Sequence, residues 1–228
     1  MNITLPDGSN RELAEGSSGY DLALSIGAGL AKAAIAVNIN GVQRDINDPI
    51  KEDCKVAIIT IDSDEGLEIM RHTLTAQVLA KAIKNLYPTA KLAIGPTIED
   101  GFYYDFSSDT TISLDDLPKI ENEMRKIIAT GEAINKTLKS KKDAISIFKA
   151  KDETYKVDII SESDQGEDFQ IYQQGDSDFV DLCRGPHLPN LSHIGSFKLT
   201  KVAGAYWRGN SDNEMLTRIY GTAWKSDK

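Results

Sequence analysis

The sequence predicts an α+β protein in two units, and three observations lead to this fold class. The chain has 228 residues, of which 40% are hydrophobic and 27% charged, so it can bury the core of one large domain or of two modest ones. In some segments apolar and polar residues alternate as in strands, and in others the apolar residues have helical spacing. Turns rich in Gly, Asp and Pro separate these segments. A polar, turn-prone joint at residues 62–66 divides the chain, so we expect one unit at residues 1–62 and another at 63–228.

The composition excludes several classes of protein. The formal charge of −9 has the wrong sign for binding nucleic acid through bulk charge, although it is compatible with a local basic face. No apolar run approaches the roughly 18 residues of a membrane-spanning helix, and the first residues lack the basic and apolar regions of a signal peptide. Two cysteines, Cys54 and Cys183, do not make a disulfide framework, which favours a reducing, cytoplasmic compartment, and the lack of a membrane span favours no membrane partner.

Residues 1–62 predict the order strand, strand, helix, strand, strand, strand, which is typical of a small ubiquitin-like β-grasp unit. Turn signals at residues 6–8 and 39–41 each join two short strands, and Ser17 or Ser18 is placed to cap the helix between these hairpins. The β-branched segment at residues 55–61 predicts a buried strand. Nothing in this unit, which has no histidine, points to catalysis.

Residues 63–228 predict a mostly antiparallel sheet packed by helices. A helix at residues 67–86 has Leu79, Ile83 and Leu86 at helical spacing, and Ser113 begins a second helix that ends near residue 129. A shorter helix is expected at residues 142–148. The predicted strands lie at residues 92–98, 102–106, 155–160, 169–173, 179–182, 196–203 and 216–220.

Three features of the second unit carry chemical information. Cys183 and His187 form a C-x-x-x-H motif in a Gly-Pro loop, where a soft ligand or nucleophile and an imidazole can converge. His72 lies near the start of the first helix, and Lys156 lies in a predicted strand of apolar residues. Each feature alone also has a structural explanation: an incidental motif, a surface or packing histidine, and a lysine on the solvated face of a strand.

Four longer strings carry a resemblance to a known family. They are residues 94–96 with 101–105 (IGP and GFYYD), 181–190 (DLCRGPHLPN), 203–209 (AGAYWRG) and 219–224 (IYGTAW). Over essentially its whole length, the chain resembles the N-terminal region of bacterial threonyl-tRNA synthetase. The resemblance implies that the first unit is a TGS domain and that the second is an editing domain, similar in outline to the editing modules of alanyl-tRNA synthetase.

This resemblance implies a proofreading function, the hydrolysis of mischarged Ser-tRNA(Thr) by attack of water on the aminoacyl ester. A synthetic site for threonine rejects serine weakly, because one missing methyl group is worth only about 1–3 kcal/mol, so a second site must remove the error. The expected partners are the 3′ end of tRNA(Thr) and the synthetase catalytic core, with no DNA. The sequence shows no ATP-binding or adenylate-forming motif, so we expect no ligase activity from this chain alone; ATP and Mg²⁺ would serve only the ligase core.

The resemblance also assigns roles to individual residues. The implied catalytic group is His72, Lys156, Cys183 and His187, and the implied substrate-binding group is Thr73, Gln77, Tyr104, Asp181 and Arg184. Lys156 would orient water and stabilise charge, while Arg184 would either contact the tRNA end or pair with a carboxylate.

The first helix of the second unit departs from the family pattern, which has an H-x-x-x-H pair there. This chain matches the pair only if one extra residue is allowed between its two positions, which places Gln77 at the second histidine and His72 at the first. If the helical spacing is kept strictly, Thr73 takes the place of the first histidine. Residues five apart lie about 140° apart on an α-helix rather than about 40°, so His72 and Gln77 cannot share one face. Either His72 lies in a frayed first turn, or the helix takes up the insertion as a π-bulge. Gln77 can hydrogen-bond substrate or water but cannot carry a proton.

Two alternative functions remain open, and only the first follows from this departure. One is a tRNA-docking fragment with little or no hydrolysis, and the other is a zinc-dependent deacylase of the alanyl type. The resemblance to the threonyl enzyme implies no required cofactor and no metal. If zinc does bind, His72, Cys183 and His187 are the candidates for an open three-ligand site.

Lysines and one arginine mark candidate faces for tRNA. The first face consists of Lys136, Lys139, Lys141 and Lys142 with Lys149 and Lys151, and the alternative phosphate contacts are Lys198, Lys201 and Arg208. The competing interpretation of the first face is a solvated helix surface.

Overall fold

The structure is a computed structural model that describes residues 1–226 as an α+β protein. The helices are α1 (Gly19–Ile26), α2 (Ala28–Ala33), α3 (Asp64–Thr73), α4 (Ala80–Leu86), α5 (Leu117–Ala129), α6 (Lys141–Ala150) and α7 (Thr154–Glu162), with a π-helical segment (Leu74–Leu79) joining α3 to α4. The strands are β1 (Asn2–Thr4), β2 (Asn10–Glu12), β3 (Ala34–Ile39), β4 (Val42–Asp45), β5 (Cys54–Thr60), β6 (Lys91–Leu92), β7 (Thr97–Ile98), β8 (Gly101–Ser107), β9 (Ile134–Lys139), β10 (Phe169–Gln174), β11 (Val180–Leu182), β12 (Ser196–Tyr206) and β13 (Met215–Trp224).

The N-terminal unit is a five-stranded sheet in the order β2-β1-β5-β3-β4, covered by α1 and α2. Both predicted hairpins are confirmed, because β1 pairs with β2 and β3 with β4 in antiparallel register. Ser18 caps α1 by accepting a hydrogen bond from the Asp21 amide, and the Asp21 carboxylate bonds back to Ser18. The single predicted helix is instead two, because Gly27 adopts an extended conformation between α1 and α2.

The second unit contains two antiparallel sheets where the sequence suggested one. The larger follows the order β12-β13-β8-β6, with β7 also paired to β8, and the smaller follows the order β11-β10-β9. The predicted turn between β7 and β8 is confirmed, with Ile98 opposite Gly101. The strand expected before this turn is interrupted at residues 93–96, and β9 was not predicted at all.

Residues 155–160 form helix α7, so the prediction of a strand there is wrong. The residues Tyr155, Val157 and Ile159 alternate as in a strand, but Val157 and Ile160 also have helical spacing and pack together against α6. Tertiary packing therefore decides between two patterns that a short apolar run satisfies equally. The correction matters because α7 carries Lys156 into the interior.

The two units share part of their core. The largest buried cluster contains Phe102 and Tyr104 of β8 together with leucines and a valine of the π-helical segment. Ile35 and Ile59 of the N-terminal sheet belong to the same cluster. Within residues 1–226, no helix is both long and apolar enough to cross a membrane.

Candidate active site

The junction between α3 and the π-helical segment sets the position of the first histidine. Residues 74–79 follow π-helical geometry, and the Ala80 amide donates to the Thr75 carbonyl five residues earlier. Of the two arrangements that the sequence left open, the structure has the π-bulge. The π-helical segment accommodates the extra residue, so the end of α3 faces the loop that follows β11.

That loop brings Cys183 against His72. Cys183 follows β11 directly, and its Sγ lies 2.8 Å from His72 Nε2. Gly185 has a positive φ of 62°, and a Cβ at this position would lie 2.0 Å from the Tyr172 hydroxyl oxygen. Only glycine therefore allows the loop to approach β10 this closely.

His187 packs between His72 and Tyr172. The rings of His72 and His187 are stacked, with centroids 4.6 Å apart and planes 5° from parallel, and Tyr172 meets His187 edge-on at 4.4 Å. Thr73 Oγ1 accepts from the Leu188 amide at 3.0 Å and is hydrogen-bonded to His187 Nδ1 at 3.1 Å. Among the residues that the structure describes, His187 Nε2 is a buried atom without a hydrogen-bond partner.

Burial determines the protonation of both imidazoles. It lowers the pKa of His72 and of His187 from the ordinary value of 6.5, since a charged ring is poorly solvated in this interior. Both rings are therefore neutral near pH 7. A neutral imidazole can accept a proton, which a charged one cannot.

Lys156 and Asp181 form a buried ion pair beside these histidines. Lys156 Nζ lies 2.7 Å from Asp181 Oδ1, and the two side chains are 5% and 2% exposed. Tyr104 donates its hydroxyl to Asp181 Oδ2 at 3.4 Å, and the Leu182 amide donates to Asp181 Oδ1 at 2.8 Å. Burial raises the pKa of Asp181, while the Lys156 ammonium opposes that shift. Each charge thus compensates the other away from solvent.

An open cavity of about 700 Å³ connects most of these groups. Six of the nine residues implicated by sequence line it: His72, Tyr104, Lys156, Asp181, Cys183 and Arg184. Thr73 and His187 lie behind the lining, in contact with each other. The cavity is also lined by residues that the sequence did not single out as pocket-forming, including Gly95, where an added Cβ would lie 2.2 Å from Tyr104 Cδ2.

Gln77 lies away from the cavity lining. Its side chain is fully buried, and Gln174 donates to the Gln77 carbonyl at 2.6 Å and to the Gln77 side-chain oxygen at 3.3 Å. The position that a second helix histidine would occupy in the family pattern is therefore packed against β10. We assign Gln77 no contact with substrate.

The chain matches two family models and many full-length enzymes. Residues 1–60 match the TGS domain, and residues 170–220 match the threonyl and alanyl tRNA synthetase second additional domain. The threonine–tRNA ligases of Acidithiobacillus ferrooxidans and Geobacter sp. strain M21 are 48% and 52% identical over 227 and 229 residues, covering all of this chain and 35% of each relative. The ligase of Nitrosococcus oceani is 50% identical over 226 residues, covering 99% of this chain and 35% of the relative.

This chain is homologous to the N-terminal region of threonine–tRNA ligases. It spans about a third of the length of these relatives. The TGS match ends at residue 60 and α3 begins at Asp64, so the boundary expected at residue 62 lies between them. The second unit contains the additional domain shared with the alanyl enzymes, and β11 and β12 lie within that match together with most of β10 and β13.

Three residues of the candidate site are placed so that they could hold a metal ion. His72, Cys183 and His187 each offer one ligand atom, and these three atoms lie within 4.8 Å of one another. Nitrogen and sulfur donors at this separation suit zinc, and the unpartnered His187 Nε2 is the kind of atom that a metal would bind. The residues therefore fit a three-ligand zinc site, although Gln77 supplies no fourth donor.

Three of the six lysines of the basic face expected to bind tRNA have partners within the protein. Lys136 is on β9 rather than on a helix, and it pairs with Asp45 at 2.8 Å and Asp48 at 2.6 Å, so its charge is compensated within the protein. Lys141 donates to the Ser163 carbonyl at 2.7 Å, and Lys151 donates to the Asp178 carbonyl at 2.6 Å.

The alternative basic residues differ in their surroundings. Lys198 pairs with Glu121 at 3.0 Å and Arg208 pairs with Glu162 at 2.5 Å, whereas Lys201 is exposed and lies over the Tyr220 ring. Arg184 is exposed at the cavity, and no carboxylate within residues 1–226 pairs with it, which favours the first of its two predicted roles.

Proposed function

We propose that this chain hydrolyses the aminoacyl ester of mischarged Ser-tRNA(Thr), with the cavity as the editing site. The observation that carries the proposal is the meeting of a neutral imidazole, a thiol and an ammonium, from His72, Cys183 and Lys156, in the lining of one cavity. Ester hydrolysis needs a base for the attacking water and positive charge for the developing oxyanion, and these groups supply both.

The reaction forms a bond from water oxygen to the ester carbonyl carbon and breaks the bond from that carbon to the ribose oxygen. The neutral His72 ring takes a proton from the attacking water, and that proton is returned to the departing ribose oxygen. The Lys156 ammonium has three N–H donors, and one of them bonds to Asp181. The other two can donate to water or to the oxyanion. The products are serine and tRNA(Thr) with its terminal hydroxyl restored.

The proposed substrate preference follows the logic of a second sieve. The synthetic site of a threonyl enzyme discriminates weakly against serine, because removing one methyl group costs only about 1–3 kcal/mol of binding. We expect the cavity to accept the seryl group and to exclude the threonyl methyl group. The 3′ end of tRNA(Thr) is the proposed partner at the exposed Arg184, and the remaining two-thirds of the relatives' length is proposed to contain the catalytic core.

The deciding experiment incubates the purified chain with Ser-tRNA(Thr) and with Thr-tRNA(Thr), each labelled in the amino acid. We expect rapid loss of label from the seryl substrate only. The Lys156→Met and Cys183→Ala variants should lose this activity, because the first removes the positive charge and the second removes the contact to His72. Lys119→Met is the control, since Lys119 is exposed, outside the cavity lining and outside both basic faces considered for tRNA.

Equal spontaneous decay of both substrates would refute hydrolysis. If tRNA(Thr) then still bound, the chain would be a docking module, as the turned-away Gln77 would allow.

We further propose that hydrolysis requires no cofactor. A zinc ion held by His72, Cys183 and His187 would supply an activated water, and this is the alternative. Metal analysis of the purified chain and the deacylation rate after treatment with a chelator separate the two. A rate unchanged by chelation supports the metal-free reaction, whereas stoichiometric zinc with loss of activity on its removal contradicts it.

A further inference from the structure

We propose that Asp45, the last residue of β4 in the TGS domain, is a positioning residue for the histidines of the candidate editing site. Its effect on catalysis rests on the proposed function, while its effect on the geometry of His187 does not. The sequence offered no reason to look for a contribution from the TGS domain, which has no histidine.

Asp45 accepts hydrogen bonds from three parts of the second unit. Its Oδ1 accepts from the backbone amide of His187 at 2.8 Å, and its Oδ2 accepts from the Tyr172 hydroxyl at 2.8 Å. Lys136 of β9 lies 2.8 Å from the same Oδ2. The Asp45 side chain is only 14% exposed, so these bonds form in a largely desolvated place where they are strong.

The carboxylate is held by a rigid support. Asp45 lies opposite Ala36 in the β3–β4 ladder, and its carbonyl accepts from the Asp48 amide in the turn that follows. Lys136 also pairs with Asp48 at 2.6 Å, so one lysine links both acidic residues to β9. The TGS domain thus presents Asp45 from a fixed strand end rather than from a flexible loop.

Two of the contacts of Asp45 restrict the position of the same residue, His187. One fixes the backbone of His187, and the other fixes the Tyr172 ring that packs edge-on against His187 at 4.4 Å. His187 in turn stacks on His72, whose Nε2 touches Cys183. A continuous series of contacts therefore runs from the TGS strand to the cavity lining.

This arrangement predicts that loss of the Asp45 carboxylate frees the His187 backbone and loosens the histidine stack. A displacement of about 1 Å in a catalytic group can cost on the order of a hundredfold in rate. Because Asp45 does not line the cavity, substrate binding should change much less than turnover. A residue that merely joined two domains would instead lower stability without moving His187.

The test compares Asp45→Ala with Asp48→Ala in the full chain. Asp48 is the matched control, because it shares the partner Lys136 but bonds neither His187 nor Tyr172. In ¹⁵N-labelled protein, Asp45→Ala should speed hydrogen exchange at the His187 amide by about tenfold or more and shift the ring nitrogens of His187 and His72. His193 serves as an internal reference, and Asp48→Ala should leave all of these signals near their wild-type positions.

The kinetic arm uses Ser-tRNA(Thr). Asp45→Ala should lower kcat roughly tenfold to a hundredfold with KM nearly unchanged. Tyr172→Phe should reproduce part of the loss, and the double variant should be no worse than Asp45→Ala alone, since both act on His187.

Equal effects of Asp45→Ala and Asp48→Ala, in exchange or in kcat, would overturn the proposal. If the wild-type chain proves inactive, the proposed function fails, and the NMR comparison still decides whether Asp45 positions His187.

Discussion

At the scale of single residues, the ion pair between Lys156 and Asp181 combines stability with chemistry. Both side chains are almost fully buried, and the pair lies in the lining of the cavity. A buried charge is tolerated only when it is compensated, so neither residue can be removed without consequences for the other. The ammonium proposed to stabilise the oxyanion is therefore also required to keep Asp181 ionised in the interior.

We predict that Lys156→Met destabilises the fold and that a second substitution partly repairs it. Removing one member of a buried pair typically costs about 3–5 kcal/mol, because the other charge is left uncompensated. Lys156→Met/Asp181→Asn has no such charge and should recover much of the free energy of unfolding, measured by urea denaturation. It should remain inactive toward Ser-tRNA(Thr). If the double variant were as unstable as the single one, the pair would not be compensating in the folded state.

At the scale of elements, the π-helical segment allows a sequence with one extra residue to keep a histidine at the site. A regular α-helix through residues 72–79 would turn the end of α3 by about 100° relative to α4. With the π-helical geometry, His72 faces Cys183 while Leu74, Val78 and Leu79 remain in the core. Such segments often occur at functional sites, and here the reason is the direction of one side chain.

We predict that deleting Leu74 and truncating it both keep His72 directed at Cys183. Deletion removes the one residue that the π-helical segment accommodates, so a regular α-helix gives α3 and α4 the same relative direction and deacylation is retained. Leu74→Ala removes a fully buried side chain and should cost about 2–5 kcal/mol of stability, but it keeps the register and therefore the activity below its lowered Tm. Deacylation assays and thermal unfolding of both variants check these outcomes. An inactive deletion variant beside an active Leu74→Ala variant would show that the π-helical geometry itself is needed.

Local patterns predicted most of the elements and failed where two periodicities coincide. The capped starts at Ser18 and Ser113 and the hairpin turns have signals within a few residues, so they were predictable. Helix α7 was not, because Val157 and Ile160 fit a helix while Tyr155, Val157 and Ile159 also alternate as a strand. The choice depends on packing against α6, which no local window contains.

At the scale of the whole molecule, the same limitation applies to the site. The family resemblance implied that His72, Cys183 and Lys156 share one pocket, because a resemblance over the whole chain carries information about distant contacts. Asp45 belongs to no such string, and its partners Tyr172 and His187 are 127 and 142 residues away in sequence. Only the packing of one unit on the other reveals its position.

The shared core predicts that the two units unfold together. Ile35 and Ile59 of the TGS sheet are buried in the same cluster as Phe102 and Tyr104. Trp207 and Trp224, the two tryptophans of the chain, both lie in the second unit, so their fluorescence reports on that unit alone, whereas circular dichroism reports on both.

Wild-type chain should therefore show one urea transition with coincident midpoints in the two signals. Ile35→Ala should lower the free energy of unfolding by about 2–5 kcal/mol and so lower the urea midpoint in both signals, although no tryptophan is in its unit. Val42→Ala, at an exposed position on the neighbouring edge strand β4, is the control and should change neither. Separate transitions, with Ile35→Ala shifting only the circular dichroism, would mean that the units are energetically independent. In that case Asp45 could not hold His187 through a rigid TGS domain, because the support itself would open while the second unit stayed folded.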